Sequence, residues 1–345
     1  MKNRDLYSYD LPDRLIAKEP VQQRDGSKLL VYDTKTGSVT FDVFRHIADY
    51  LPAKSHLVCN TASVTPARIT LHKQTGGKVV CLFLVNEPEQ KSNEIRMMVD
   101  RKITINDTLL HNEKVIGTVV KHSESGIFIV SLHLTREALM GLLNKDGVMP
   151  IPLYLRDTTL SPASMKDRYQ TIFAQPLPAG GATAAPTASL HFTNEVFKTL
   201  EKKGIQKSHI SLLVGLGTFA PLTQKHIEEN KLHEEWYDIP VSTQQMLSAA
   251  SDITAVGTTV VRTLESYAVQ KKPTGTTDIF IHPPYHFAYV RHLITNFHLP
   301  KSSLMMLVEA FLQDKHAPHH LVELYHMAIQ HEFRFYSLGD TMLIL

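Results

Sequence analysis

The sequence predicts an α/β protein in which a small antiparallel β-barrel is inserted into a larger domain of strands and helices. Two observations lead to this prediction. Residues 69–134 read as successive β-hairpins, whereas the segments after Pro150 repeat an apolar strand, a loop of small residues and a helix. Residues 1–67 share the second pattern. We therefore expect a discontinuous α/β catalytic domain of residues 1–67 and 149–345, and an inserted barrel domain of residues 68–148.

Turn residues mark the hairpins of the predicted barrel. The Thr-Gly-Gly sequence at residues 75–77 joins two apolar runs, and residues 123–126 join two more. Ahead of the barrel, residues 29–32 and 57–59 are short apolar runs, which are typical of buried strands.

After the barrel, turns rich in glycine and hydroxyl groups join strands to helices. Residues 253–256 lead through Gly257, Thr258 and Thr259 to a predicted helix that includes Glu265. A turn that opens a helix presents unpaired backbone N–H groups, and two hydroxyls add further donors. The turn therefore suits an anionic or hydroxyl-rich ligand such as a carboxylate or a ribose. Ordinary helix capping needs one hydroxyl and is the alternative.

Composition narrows the class of protein. The chain has 345 residues, of which 43% are hydrophobic, and it has no apolar run of membrane-spanning length. Its start shows no apolar segment of the signal-peptide type, and two cysteines are too few for a disulfide framework. We therefore expect a cytoplasmic protein without a membrane partner. The net charge of +2 neither favours nor excludes a nucleic acid as partner.

Residues 170–193 are the strongest candidate for a ligand-binding loop. The alanines and glycines of this segment allow a backbone to approach a ligand closely, and Thr187, His191 and Thr193 place polar atoms among them. Thr193 is also a plausible cap for the helix that follows, so the loop ends at the positive end of a helix. A tightly packed turn is the alternative.

Ordered motifs along nearly the whole chain resemble those of a known family. They are RLIA (14–17), RDGSKLLV (24–31), YQT (169–171), AAPTA (184–188), LHFT (190–193), VGLGTF (214–219), LHEEWY (232–237), AVGTT (255–259), VRTLES (261–266), LITNFHLPKS (293–302), FRF (333–335) and GD (339–340). In this order they resemble the S-adenosylmethionine:tRNA ribosyltransferase-isomerase family of queuosine biosynthesis.

The resemblance implies a reaction and its partners. The ribosyl part of S-adenosylmethionine is transferred to a 7-aminomethyl-7-deazaguanine at the wobble position of tRNA. It is then isomerised to an epoxycyclopentanediol, which gives epoxyqueuosine-tRNA and releases adenine and methionine. We therefore expect S-adenosylmethionine as the ribosyl donor, precursor-bearing tRNA as the partner, and a monomeric enzyme.

That chemistry needs a base near the C5′ hydrogens or the incoming amine, and a proton donor for the departing adenine. His191 and His298 are the candidates for proton transfer, with Glu235 or Glu265 orienting a histidine or facing the sulfonium. Candidates for substrate binding lie mostly inside the motifs, and they are Thr187, Phe192, Thr193, Gly257, Thr258, Thr259, Arg262, Asn296, Asn60 and Arg68. Since Arg262 and Glu265 lie three residues apart on a predicted helix, a simple surface ion pair is the alternative for these two.

No metal is expected. His282, His286, His292 and His298 recur at short spacing, but no tight cluster of cysteine or carboxylate partners accompanies them. The sulfonium chemistry implied by the resemblance also needs no Lewis acid.

The chain departs from the family pattern mainly next to the barrel. This chain has Lys54-Ser55 where the family usually has Gly-Asp, and Thr61-Ala62-Ser63 where the family has Asp-Thr-Arg. It has Val80 where the family has an acidic residue. Loss of an aspartate at position 61 puts a carboxylate role there in doubt. Two alternatives stay open: a catalytically impaired RNA-binding protein of the same fold, and another S-adenosylmethionine-dependent tRNA-modifying enzyme such as a methyltransferase.

Overall fold

A computed structural model describes residues 4–86, 93–123, 126–155, 158–176, 181–215 and 222–345. Within these residues the chain forms a nine-stranded mixed sheet with helices on its faces, and a closed six-stranded barrel. The predicted fold class, an α/β domain with an inserted antiparallel barrel, is confirmed.

The elements are numbered in chain order. The strands are β1 (Lys28–Tyr32), β2 (Val39–Val43), β3 (His56–Asn60), β4 (Arg68–Lys73), β5 (Lys78–Phe83), β6 (Glu94–Val99), β7 (Thr108–His111), β8 (Lys114–His122), β9 (Ile127–Leu132), β10 (Gln206–Leu212), β11 (Lys231–Asp238), β12 (Ile253–Val256), β13 (Thr274–Ile279), β14 (Val290–Asn296) and β15 (Thr341–Ile344). The α-helices are α1 (Ile47–Tyr50), α2 (Arg136–Asp146), α3 (Pro162–Arg168), α4 (Asn194–Lys202), α5 (Gln224–Glu229), α6 (Val241–Ala249), α7 (Thr258–Gln270), α8 (Ser303–Asp314) and α9 (Leu321–Gln330).

The large sheet has the strand order β13-β11-β10-β3-β12-β14-β15-β1-β2. Its centre is parallel, because β10, β3, β12 and β14 all run in one direction. Every residue of β3 and β12 is buried, as expected for parallel strands that are covered on both faces. The carboxyl ends of four strands therefore meet at one edge of the sheet.

Two separate cores cover the two faces of this sheet. Val261 of α7, Leu307 of α8 and Leu324 of α9 pack in the core on one face, together with Leu293 of β14. The next residue, Ile294, belongs to the other core, which includes residues from α1 and α4. Successive side chains of a strand point to opposite faces, and β14 follows this rule.

The barrel has the strand order β4-β5-β6-β9-β8-β7 and is antiparallel throughout. Gly76 forms the predicted turn between β4 and β5 with φ +86°, a conformation that favours glycine. Of the other predicted turn, residues 124–125 lie outside the described residues. Leu71 and Val130 contribute to a core of the barrel's own, against which α2 packs Leu143.

The two ends of the inserted segment meet. The N–H of Arg68 donates to the carbonyl of Val148 at 3.2 Å, and the N–H of Val148 donates to the carbonyl of Arg68 at 2.8 Å. Strands from before and after this segment share the large sheet. The chain therefore leaves the large sheet and returns to it at one place.

The loop that precedes α4 runs along the carboxyl edge of the parallel strands. The N–H of Ala182 donates to the carbonyl of Ser63 at 2.8 Å, and that of Thr183 donates to Val214 at 2.9 Å. Residues 177–180 of the loop lie outside the described residues. In the part of the chain that is described, no helix is long and apolar enough to cross a bilayer.

Candidate active site at the carboxyl edge of the sheet

The candidate residues converge where the parallel strands end. Asn60 and Asn296 are the last residues of β3 and β14, and Gly257 follows β12 directly. In open α/β sheets, ligands bind beyond the carboxyl ends of the strands. The loop of residues 181–191 covers this edge, so it forms a site between strand ends and loop.

One group, the His191 cluster, consists of the side chains of Thr187, His191 and Asn296 and the backbone carbonyl of Asp340. Thr187 Oγ1 donates to Asn296 Oδ1 at 2.8 Å. The Asn296 amide nitrogen faces His191 Nε2 at 3.5 Å and donates to the carbonyl of Asp340 at 3.4 Å. Asn296 thus links the covering loop, the end of β14 and the start of β15.

His191 is a neutral imidazole at physiological pH. Burial, with the positive charges of Arg334 and Arg24 as smaller causes, lowers its pKa to about 3. A cavity of about 20 Å³ adjoins the ring, lined by Arg24, Arg168 and other residues. A neutral imidazole can accept a proton from a ligand.

A second group lies at the end of β10. The guanidinium of Arg262, on α7, donates through Nη1 to Glu235 Oε2, and Glu235 Oε1 accepts from the N–H of Gly215 at 3.0 Å. The exposed fraction is 8% for Arg262 and 5% for Glu235. We call these two residues the Arg262–Glu235 pair. The alternative of a surface ion pair between Arg262 and Glu265 is wrong, because both residues are buried and Arg262 pairs with Glu235.

Glu265 has a different set of partners. Its carboxylate accepts from the N–H groups of Ala288 at 2.9 Å, Tyr289 at 3.1 Å and Val290 at 3.4 Å. Burial raises its pKa, and these hydrogen bonds oppose the shift. Glu265 therefore fixes the segment that enters β14.

His298 lies away from His191. Its Nε2 contacts Thr295 Oγ1 at 3.3 Å and its Nδ1 contacts the hydroxyl of Tyr325, on α9, at 3.3 Å. Because Thr295 and Asn296 are neighbours on one strand, their side chains point to opposite faces. His298 therefore lies with α9, and the structure does not bring the two histidines together. Burial also lowers the pKa of His298 to about 3.

The Gly257-Thr258-Thr259 turn opens α7 next to the covering loop. Gly257 has φ +89°, and a Cβ atom added to it would lie 3.5 Å from the Cβ of Ala188. Glycine offers no side-chain cap, and Thr259 Oγ1 is buried without a hydrogen-bond partner among the described residues. The N–H groups of Val260 and Val261 donate to the carbonyl of Gly257 at 3.1 and 3.4 Å, which leaves those of Thr258 and Thr259 as donors for a ligand.

The other predicted residues make contacts within the protein. Phe192 packs in the core beneath the loop, and Thr193 caps α4 and donates to Asp25 at 3.1 Å. The side chain of Asn60 bonds to both backbone groups of Leu212. Arg68 Nη2 donates to the carbonyl of Ile151 at 3.5 Å. Part of the VGLGTF motif, residues 216–219, lies outside the described residues.

A family model described as "Queuosine biosynthesis protein" matches residues 4–344. The chain belongs to this family. It is 39% identical to the S-adenosylmethionine:tRNA ribosyltransferase-isomerase of Nitratiruptor sp. over 99% of this chain and 98% of that protein. The enzyme of the same name from Thermotoga maritima is 38% identical over 98% of both chains. The crystal structure of the Thermotoga maritima S-adenosylmethionine tRNA ribosyltransferase is similar with a TM-score of 0.54, at 30% identity over 98% of this chain and 99% of that chain.

The family resemblance predicted from the sequence is confirmed, and with it a role in queuosine biosynthesis. Membership also holds across the departures near the barrel, since the match includes residues 54–80.

Two residues of the site were not singled out from the sequence. The carboxylate of Asp340, in the GD motif, accepts from Arg334 Nη2 at 3.2 Å and from the N–H of Lys28 at 3.1 Å. The backbone carbonyl of Asp340 accepts from the side chain of Asn296. Arg24 donates to the carbonyl of Leu190 at 3.3 Å. Both residues lie in motifs that resemble those of the family, and this was the sequence signal that could have identified them.

The four histidines that recur at short spacing have four different surroundings. His282 contacts Asn230, His286 contacts Asp314 and His292 contacts Asp252. His298 contacts Thr295 and Tyr325. Within the described residues no group of three or more metal-ligating side chains is assembled.

Proposed function

We propose that this chain is an S-adenosylmethionine:tRNA ribosyltransferase-isomerase of queuosine biosynthesis. It transfers the ribosyl part of S-adenosylmethionine to 7-aminomethyl-7-deazaguanine in tRNA and isomerises it, with release of adenine and methionine. One observation carries the proposal: in a chain of the queuosine family, a neutral buried histidine and a buried ion pair lie at the carboxyl edge of a parallel sheet.

His191 is the proposed base. The positive sulfonium makes the C5′ hydrogens of the ribosyl group acidic, and a neutral imidazole can take such a proton. Asn296 holds the ring through its 3.5 Å contact with Nε2, and Thr187 fixes Asn296 in turn. His298 contacts Thr295 and Tyr325 of α9, away from the covering loop and the turn that opens α7, which makes it the weaker candidate.

The turn that opens α7 is the proposed site for an anionic or hydroxyl-rich part of S-adenosylmethionine. Thr258 and Thr259 supply hydroxyls, and the helix supplies N–H groups and the positive end of its dipole. Ala188 of the covering loop lies against Gly257, so a ligand at this turn is also next to the loop that carries His191.

Local positive charge accounts for binding of tRNA by a chain of low net charge. Arg24 and Arg168 line the cavity beside His191. Burial lowers the pKa of Arg24, and the nearby positive charge of Arg168 lowers it as well. Both guanidiniums donate to backbone carbonyls of the protein, so they supply fixed positive charge toward a phosphate next to the modified nucleotide. A cytoplasmic location and a monomeric state remain predictions.

The decisive experiment measures adenine and methionine release from S-adenosylmethionine in the presence of tRNA that carries the 7-aminomethyl-7-deazaguanine. We expect both products in equal amounts, together with the modified tRNA. The matched control is the same tRNA with guanine at the wobble position, which lacks the aminomethyl nucleophile and should release no adenine. Turnover should persist after exhaustive chelation with EDTA.

Each alternative gives its own result in this assay. A methyltransferase would form S-adenosylhomocysteine and no adenine. A catalytically impaired RNA-binding protein would bind the tRNA without releasing any product.

A further inference from the structure

Arg262 is buried and has unpaired hydrogen-bond donors among the described residues. Of its five N–H donors, one is used by Glu235 through Nη1. Its Nε and Nη2 are buried and have no partner among the described residues. A buried charged donor without an acceptor is costly, at about 1 to 3 kcal/mol or more. Such donors in a candidate site indicate a ligand that supplies the missing acceptors.

The unused donors lie at the carboxyl edge. The ion pair holds the guanidinium next to Glu235, and Glu235 in turn holds the N–H of Gly215, beyond the end of β10. Helical side chains lean toward the N-terminus of their helix, so Arg262 extends toward the turn that opens α7. Thr259, one turn earlier on the same helix, has a buried hydroxyl without a partner among the described residues.

The charges define which ligand fits. A carboxylate matches the planar fork of two guanidinium donors, and it is also stabilised by the positive end of α7, a helix of 13 residues. Glu235, however, already neutralises Arg262. A ligand with only negative charge, such as a phosphate, would leave the buried site with an excess negative charge. A zwitterion adds no net charge, because its ammonium group offsets its carboxylate and can face Glu235.

We propose that Arg262 and the N-terminus of α7 bind the α-carboxylate of the methionyl end of S-adenosylmethionine. The inference rests on the proposed function, and it names the part of the substrate that this region recognises. Glu235 is a positioning residue that orients the guanidinium fork and balances its charge. The adenosyl end then extends from this point along the carboxyl edge.

Decarboxylated S-adenosylmethionine is the probe, since it keeps the sulfonium and the adenosyl group and lacks only the carboxylate. We measure kcat/KM for adenine release with each donor at saturating precursor tRNA. The wild type should prefer S-adenosylmethionine by at least about tenfold, as expected for charge-assisted hydrogen bonds. Arg262→Gln should lower this ratio to the part that the N-terminus of α7 supports alone, with the larger loss for S-adenosylmethionine. Arg262→Lys should keep part of the ratio, because it keeps the charge and loses the fork.

The ratio is taken within one variant, so it does not depend on how much of that variant is folded. Because Arg262→Gln leaves Glu235 buried without its partner, the double variant Arg262→Gln/Glu235→Gln removes both charges and should show the same lowered ratio. Arg14→Gln, which breaks the exposed ion pair with Glu332, is the matched control and should keep the wild-type ratio.

Three results would overturn the assignment. The first is a wild type that shows no preference between the two donors. The second is an equal loss of kcat/KM for both donors in Arg262→Gln. The third is an Arg262→Gln variant whose KM for tRNA rises while the donor ratio stays at the wild-type value. The last result would assign Arg262 to a phosphate of the tRNA. Failure of the proposed function is recognised separately, since the wild type would then release no adenine from either donor.

Discussion

At the scale of single residues, the proposed role of His191 as the base is the assignment to test first. His191→Asn keeps a hydrogen-bonding side chain of similar size but removes the proton acceptor. We expect turnover to fall by about 100-fold or more, with little change in affinity for S-adenosylmethionine. The measurements are adenine release and calorimetric binding. The matched control is His298→Asn on the opposite face of β14, and a greater loss of turnover in that variant would contradict the assignment of His191 as base.

The charge state of His191 also predicts how stability depends on pH. Its pKa is about 3 in the folded chain, against about 6.5 when unfolded. Between these values the unfolded state binds the proton and the folded state does not, so the free energy of unfolding falls as the pH is lowered below 6.5.

For this one residue the loss is about 2 kcal/mol at pH 5 relative to pH 7. Urea unfolding at both pH values checks this loss. The difference between the two pH values should be about 2 kcal/mol smaller in His191→Asn, whose amide does not titrate. An identical pH dependence in the variant and the wild type would mean that the buried ring is not held neutral.

At the scale of elements, the turn before α7 depends on a backbone conformation that glycine adopts easily. Gly257 has φ +89°, and a Cβ atom there would meet Ala188 at 3.5 Å, an ordinary contact distance. The cost of Gly257→Ala is therefore backbone strain, which we expect to lower the free energy of unfolding by about 1 to 3 kcal/mol. Affinity for S-adenosylmethionine should fall with it, because the turn would shift.

The control for this substitution is Gly141→Ala. Gly141 lies within α2, and a Cβ atom there would have no neighbour within 4 Å. That change should raise stability by up to about 1 kcal/mol, since alanine is the better helix former. Thermal unfolding of both variants separates a conformational requirement at Gly257 from a general effect of replacing glycine. Equal changes in the two variants would argue against strain at the turn.

The elements themselves were largely predictable from local patterns. The apolar runs at residues 29–32 and 57–59 lie in β1 and β3, and the turn of residues 257–259 does open a helix. Such features depend on a few neighbouring residues, and the sequence displays them directly. The order of nine strands in the sheet depends on contacts between distant segments, and no local pattern specifies it.

The pairing of charges in the candidate site also depends on contacts between distant segments. Arg262 and Glu265 are close in sequence, yet Arg262 pairs with Glu235, 27 residues away, because β11 and α7 meet beside β10. The separation of His191 from His298 follows from the alternation of Thr295 and Asn296 along β14. Residue types and motifs could be predicted, whereas the partners of each charge required the fold.

At the scale of the whole molecule, the chain has separate hydrophobic cores, and each of two cores contains one cysteine. Cys59 of β3 is buried in a core of the large sheet, and Cys81 of β5 is buried in the core of the barrel. Burial raises the pKa of both thiols to about 12, so both should be unreactive while the surrounding core is intact. Each thiol therefore reports the unfolding of its own domain.

We expect the barrel to unfold before the α/β domain. It is the smaller unit, and a small domain buries a smaller fraction of its surface than a large one. Labelling with a thiol reagent over a series of urea concentrations should therefore give two transitions, with Cys81 modified at the lower concentration. Cys59→Ala and Cys81→Ala, each leaving one thiol, assign the transitions. If both thiols became reactive at one urea concentration in both variants, the barrel and the α/β domain would form a single cooperative unit.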